Sequence, residues 1–256
     1  MSSSKELTVN IVNIIWSFDP KAEQVMVLLV QNNYQPYLNK WGLPTTLLRD
    51  NENAEEASLR LIREKIGIDL PDFYTEQLET FSDVNRSQNQ REIALTYMTY
   101  LPSMPDLTPG YGAKDVAWFA IGSDENSYLL THQNLEFKTL PDNINENNFY
   151  QKINQFDTSD NLISDHALIL REAFNRVTNR LDYLPTILLI LGTSFTLKQA
   201  REVYAIFQKQ SLTEIDNSNF RKTHSHLFTE VGIKHGKSGR PAKLYKLKQI
   251  LDPRKD

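Results

Sequence analysis

Residues 46–68 read TLLRDNENAEEASLRLIREKIGI, and this stretch decides the fold. Ala54, Ala57, Leu61, Ile62 and Ile66 recur at the spacing of one helix face, which predicts a helix over 53–66. Gly67 follows where a C-cap glycine is expected. The charged residues Glu52, Arg60, Glu64 and Lys65 surround the apolar stripe. Leu61, Glu64 and Lys65 stand at i, i+3 and i+4, so they share a face. Taken alone, this is an amphipathic surface helix with acid–base pairs.

The flanks widen the reading. Residues 7–16 (LTVNIVNIIW) and 24–30 (QVMVLLV) are β-branched runs around a turn at Asp19-Pro20, and predict two strands. Two more are expected over 93–101 (IALTYMTYL) and 116–121 (VAWFAI), and Leu43-Pro44 reads as a turn or a short strand. The polar, Asn-rich segment 123–160 reads as loops around short elements. Residues 161–181 read as a long amphipathic helix that Tyr183-Leu184-Pro185 ends or redirects. A boundary near 183–194 gives one domain over 1–182 and a second over 183–256.

The second domain has a different grammar. Thr196 is a plausible N-cap for TLKQAREVYAIF. Asn217 or Asn219 opens a second helix, amphipathic through Phe220, Leu227 and Phe228. GIKHGKSGRPAKLYKLKQI then reads as a hairpin around a Gly-Lys-Ser-Gly tip. Helix, turn, helix and hairpin make a winged helix-turn-helix.

Charge agrees with that division. The net −4 hides ten Lys and Arg against three acids from Asn217 onward, which leaves −11 on the rest. An acidic body with a basic module suggests a polyanion partner for the module. The absence of cysteine excludes disulfides, zinc–thiolate sites and cysteine nucleophiles. No apolar run approaches the ~20 residues of a bilayer span. The N-terminus lacks the pattern of a secretory signal, so a cytoplasmic protein is expected.

Laid without a gap on the Nudix box, G-x5-E-x7-R-E-U-x-E-E-x-G-U with U apolar, residues 46–68 keep Glu52, Arg60, Ile62, Glu64, Gly67 and Ile68. They carry Thr46, Leu61 and Lys65 where the pattern has a glycine and two glutamates. Trp41-Gly42-Leu43-Pro44 precedes them in the place of the usual W-x-L-P. In a working Nudix enzyme the carboxylates at the positions of Leu61, Glu64 and Lys65 converge on divalent metal, a hard cation that wants oxygen ligands. The resemblance therefore implies a frame kept and metal ligands lost. Glu52 and Glu64 are expected to pair with Lys65 or Arg60 instead.

Together these features resemble the Nudix-related transcriptional regulators, the NrtR-like family, in which a degenerate Nudix domain is fused to a C-terminal winged helix. QLETFSDVNRSQNQREIALTYMTYL (77–101), DVAWFAI (115–121), SDHALIL (164–170), FTLKQAREVYAIF (195–207), NFRK (219–222) and GRPAKLYKL (239–247) carry the likeness. Where family members often have Gly-Gly and R-D-P-R, this chain has Thr45-Thr46 and Arg86-Ser87-Gln88, with Arg91 further on. The resemblance implies an α+β chain, a Nudix α/β/α sandwich followed by a winged helix-turn-helix DNA-binding domain. Family members act mainly as repressors of NAD metabolism, and related ones control pentose-sugar use.

The implied protein is a homodimeric repressor on a palindromic operator of double-stranded DNA, released by ADP-ribose or a related nucleotide, or by a sugar. No cofactor, catalytic residue or metal is required, and an active hydrolase is the remaining alternative. DNA contacts are expected from Asn219, Arg221, Lys222, Thr223 and Ser225 on a recognition helix over 217–228. Lys237, Arg240 and Lys243 on the wing should join them. Arg221 could read guanine or hold phosphate. Effector contacts are expected from Arg49, Arg60, Glu64, Arg86 and Arg91, since a guanidinium fork suits phosphate oxygens. Phe81, Trp16, Tyr34 and Tyr37 are possible stacking platforms. Asp165 is expected to cap the long helix first and to brace the cleft second, and His224 and His226 read as polar surface groups.

Overall fold

Strand β1 (Leu7–Asp19) is buried on both faces over most of its length, as an unbroken apolar run requires of a central strand. The computed structural model describes residues 7–67, 74–87, 90–156, 161–234 and 241–248, and sets β1 inside a nine-stranded mixed sheet. The other strands follow as β2 (Gln24–Asn32), β3 (Trp41–Gly42), β4 (Thr45–Leu47), β5 (Tyr74–Phe81), β6 (Arg91–Tyr100), β7 (Ala113–Ser123), β8 (Tyr128–His132) and β9 (Leu135–Lys138). Their spatial order is β5-β6-β1-β2-β7-β8-β9, with β3 on β2 and β4 on β1. β1 and β6 run parallel, from Leu7 opposite Arg91 to Trp16 opposite Tyr100. The remaining pairs of this sheet are antiparallel.

Alternation along β1 sorts its side chains between two layers. Ile11 packs with Ala57 and Leu61 of helix α1 (Ala54–Ile66), and Ile15 with Ile62. Val12, Ile14, Trp16 and Phe18 face the opposite core. There they meet helix α4 (His166–Arg180), which follows the short helices α2 (Glu146–Gln151) and α3 (Ile153–Phe156). The result is the expected α/β/α sandwich. α1 obeys its local signals: Asn53 and Glu56 form a reciprocal capping box, and Gly67 closes the helix at φ +67°.

The C-terminal part comprises a 3₁₀ turn (Thr186–Leu191), β10 (Phe195–Thr196), α5 (Leu197–Phe207), α6 (Asn217–His224), β11 (Phe228–Lys234) and β12 (Ala242–Leu247). The strands form a small sheet in the order β10-β12-β11, which is the wing. Thr196 caps α5 in a second capping box with Gln199. α6 ends at His224, earlier than the predicted 228. Leu227 and Phe228 are needed in the core beneath the wing, where Phe228 lies 5.4 Å from Phe195 ring to ring, so Ser225 is the C-cap rather than a helical residue.

The two parts share one core. Phe207 of α5 sits 5.8 Å from Trp16 and 5.5 Å from Phe174, and Trp16 meets Phe174 edge-on at 5.0 Å. Tyr128 stacks on Phe174 at 3.8 Å and donates its hydroxyl to the Phe207 carbonyl at 2.7 Å. The Tyr204 hydroxyl donates to the Leu181 carbonyl. No helix among the described residues is long and apolar enough to cross a membrane.

Candidate functional site

The C-terminal end of α1, the loops around residues 33–37 and 110–112, and the start of α4 enclose a cavity of about 920 Å³. The 110–112 loop is fastened to the helix end. Gly110 donates its N–H to the Lys65 carbonyl at 3.0 Å and Tyr111 to the Glu64 carbonyl at 3.1 Å, satisfying carbonyls that a helix terminus leaves free.

The charges of the helix hold one another. Arg60 donates Nε to Glu52, Nη1 to Thr46 and Glu64, and Nη2 to the Leu47 carbonyl and Glu52, at 2.6–3.1 Å. A guanidinium has five N–H donors and these bonds use them all. Arg60 is therefore a frame residue rather than the predicted ligand contact, and it does not line the cavity. Its bonds hold the Glu52 carboxyl down to a pKa of about 2, with burial opposing. Glu64 lines the cavity but accepts from both Arg60 and Arg49, so the cluster forms through arginines and not through Lys65. Arg49 is half exposed at the rim.

Leu61 is fully buried against Ile11, Ala57 and Tyr97. Lys65 is only 8% exposed, and its ammonium lies 5.8 Å from the ring centres of both Tyr34 and Tyr111. Burial lowers its pKa, and the nearby Glu64 charge opposes that shift. A divalent metal at this point of the helix would meet hydrocarbon, an ammonium and a carboxylate already claimed by two arginines. The residues present do not fit one. Among the described residues no group of three or more His, Cys, Asp or Glu could hold a metal ion.

The far wall is a buried polar knot at the start of α4. Arg86 donates Nε and Nη2 to the two Asp165 oxygens at 2.9 Å, and Tyr150 donates its hydroxyl to Asp165 at 2.9 Å. Asp165 makes no capping bond, so its predicted first role is corrected: it braces the cleft. His166 accepts the Leu43 N–H on Nδ1 at 2.9 Å, and burial lowers its pKa to about 4. Arg86, Ser164 and His166 all face the cavity.

Other expectations move. Phe81 and Trp16 are core residues, 4% and 0% exposed and outside the cavity wall, because their strand positions turn them toward α4. Arg91 bonds the Ser82, Asp83 and Glu92 carbonyls and holds a loop instead of facing the cavity. Tyr34 and Tyr37 do line it, and so do Gln90 and, outside every motif of the sequence, Tyr111 and Asn33. The spacing of Gly110 and Gly112 was the one available signal for that loop.

On α6, Asn219, Arg221, Lys222 and Thr223 are exposed on the side away from buried Phe220, and Ser225 is exposed just after the helix. Lys243 is exposed on β12 and paired with Glu230 at 2.7 Å. Lys237, Arg240 and Ile68 lie outside the described residues. His224 and His226 are more than surface groups: both contact Asp182, and His224 also packs on Phe220 and Tyr204.

With this geometry, two family models match: a NUDIX domain over residues 8–133 and the NrtR DNA-binding winged helix domain over 187–247. Together they span most of the chain. It belongs to the NrtR-like family. This member is 24% identical over 227 residues to the ADPR responsive transcriptional repressor NtrR of Acinetobacter baylyi, across 87% of this chain and 76% of that one. A MutT/nudix family protein from Enterococcus faecalis has a similar structure at TM-score 0.79 and 28% identity, covering 97% of this chain and 89% of the other. Shewanella oneidensis NrtR, solved in complex with a 27mer DNA, shares the fold at TM-score 0.62 and 22% identity, over 94% and 93% of the two chains.

Proposed function

We propose that the chain is a ligand-responsive transcriptional repressor of NAD or niacin metabolism, which ADP-ribose or a related nucleotide releases from DNA. One observation carries the reading: a cleft lined by cations and aromatic rings shares a continuous core with a winged helix that exposes Arg221 and Lys222. The A. baylyi relative's name points the same way.

Two copies would place two α6 helices on the half-sites of a palindromic operator. The side chains of Arg221 and Lys222 are drawn into no ion pair or hydrogen bond among the described residues, so both are available to DNA. The effector would release DNA by binding one arrangement of the winged helices more tightly than the other. A direct structural route exists, since Arg86 and His166 touch both the cavity and α4, and α4 packs on α5 through Phe174 and Phe207. The helix charges are tied up in arginine pairs and Leu61 is core, which supports binding without hydrolysis.

The test is mobility shift of the full chain on its own upstream DNA, with ADP-ribose, NAD and pentose sugars titrated in. Release by ADP-ribose supports the proposal, and release only by a pentose moves the regulator to sugar use. Failure to bind upstream DNA, or metal-dependent turnover of ADP-ribose, overturns it.

A further inference from the structure

Lys65 replaces a glutamate of the box, yet it has not become a surface residue. It is nine-tenths buried in the cavity wall, and among the described residues its ammonium has no hydrogen bond or ion pair. Holding a charge in so buried a side chain without a partner is costly, and two ring faces at 5.8 Å and the ammonium's remaining contact with the open cavity offset that only in part. The neighbouring loop is shaped around it. Gly112 adopts φ +76°, and a Cβ there would come within 2.6 Å of the Lys65 Nζ. Arg86 is paired but not fully bonded: Nε and Nη2 are committed to Asp165, while buried Nη1 has no hydrogen-bond partner and only Glu92 at 3.5 Å. One cavity is thus lined by an ammonium without a partner and by a paired guanidinium with one donor left open.

We infer that Lys65 is an anion-binding residue that stands in for the metal, and that Lys65 and Arg86 together hold the phosphate groups of the effector without any divalent cation. The inference rests on the effector reading above and deepens it. The ammonium supplies the positive charge that a metal ion would bring, and a phosphate oxygen supplies the partner the ammonium lacks. Arg86 adds a donor already oriented by its Asp165 pair. Tyr34 and Tyr111 set their rings 5.8 Å from the ammonium. A ligand with two linked phosphates matches this pair of cations, and an uncharged sugar does not.

The experiment is calorimetry of the full-length protein with inorganic pyrophosphate, with EDTA or with Mg²⁺, and with ribose as the uncharged control. Pyrophosphate should bind in EDTA and ribose should not. Lys65→Met should weaken pyrophosphate by at least about tenfold, the scale of one lost bond to a charged group. The same variant should melt at or above the wild-type temperature, since it removes an unpaired charge from a mostly buried side chain; a lysine kept for structure would lower it. Lys65→Gln gives the same readings if the methionine variant does not fold. Pyrophosphate binding only with Mg²⁺, no binding at all, or a Lys65→Met affinity within twofold of wild type would overturn the inference. Because the probe is pyrophosphate, failure of ADP-ribose to release the operator would sink the proposed function and leave this result standing.

Discussion

Arg86 and Asp165, 79 residues apart in sequence, face each other as a buried fork with two 2.9 Å bonds. Asp165 is completely buried and Arg86 nearly so, so neither charge has water to fall back on. Removing Asp165 takes both hydrogen bonds from Arg86 and leaves it only Glu92 at 3.5 Å. Asp165→Ala should therefore lower stability by ~3–5 kcal/mol in urea unfolding, far above a lost helix cap at ~1 kcal/mol. A loss near the smaller figure would return Asp165 to the capping role.

The adjacent His166 makes stability depend on pH. Its imidazole is neutral in the fold, with a pKa lowered from 6.5 to about 4 by burial. Above pH 6.5 both folded and unfolded chains hold it neutral. Between 6.5 and about 4 the unfolded chain binds a proton that the folded one refuses, so stability falls as pH falls, by up to about 3 kcal/mol over the window. Chemical denaturation from pH 7 to 5 reads the onset above the usual carboxylate range. His166→Asn, whose amide oxygen could accept the Leu43 N–H, should flatten that slope; an unchanged slope would place its source elsewhere.

The helix residues that separate this chain from the Nudix pattern make a further prediction. Leu61 is packed on Ile11, Ala57 and Tyr97, so Leu61→Glu would bury a carboxylate without a partner. The expected cost is at least ~3 kcal/mol, with no gain of metal-dependent hydrolysis. A stable Leu61→Glu protein that turns over ADP-ribose with Mg²⁺ would show that the site had lost only its ligand.

How far the sequence carried follows from how local each signal is. α1 was legible at both ends because Asn53, Glu56 and Gly67 act within one turn of where they stand. Thr196 and Gln199 did the same for α5. Asp165 misled because a cap and a brace use the same carboxylate, and the choice was made by Arg86 from another part of the chain. Phe81 and Trp16 looked available for stacking until sheet order put helix α4 and the winged helix over their faces. β5 went unread, since it exposes alternate polar residues at the sheet's edge and only Leu78 and Phe81 are buried. Tyr111, 86% exposed on a loop, matters through its nearness to Lys65, which only the fold creates.

On DNA, Arg221 and Lys222 should behave differently from Thr223. The Thr223 hydroxyl already donates within its helix, toward the Asn219 and Phe220 carbonyls. Thr223→Ala should change operator affinity by less than about 0.5 kcal/mol. Arg221→Ala or Lys222→Ala should weaken binding and, where the lost contact is to phosphate, reduce the salt slope by about one. A residue that reads a base should instead lose ~1–3 kcal/mol on the operator and little on scrambled DNA. Mobility shifts at several salt concentrations on both duplexes separate these cases, and wild-type binding by both variants would move the recognition surface away from α6.

The division near residue 183 is a boundary in sequence grammar but not in packing. Phe207 belongs to α5, yet its ring neighbours are Trp16 of β1, Phe174 of α4 and Tyr128 of β8, and its carbonyl receives the Tyr128 and Thr178 hydroxyls. A winged helix tethered only by a linker would unfold by itself. One set into the sheet's core shares its cooperativity. Phe207→Ala should therefore cost ~3–5 kcal/mol and lower the whole molecule's melting temperature, not that of one part. Tryptophan fluorescence and far-ultraviolet dichroism test this together, because Trp16, Trp41 and Trp118 all lie in the N-terminal sheet while the dichroism sees every helix. Coincident transitions are expected in the wild type and the variant. Two separated transitions would mean that the aromatic contact is a docking surface between independent domains, and would break the direct route from the cleft to α6.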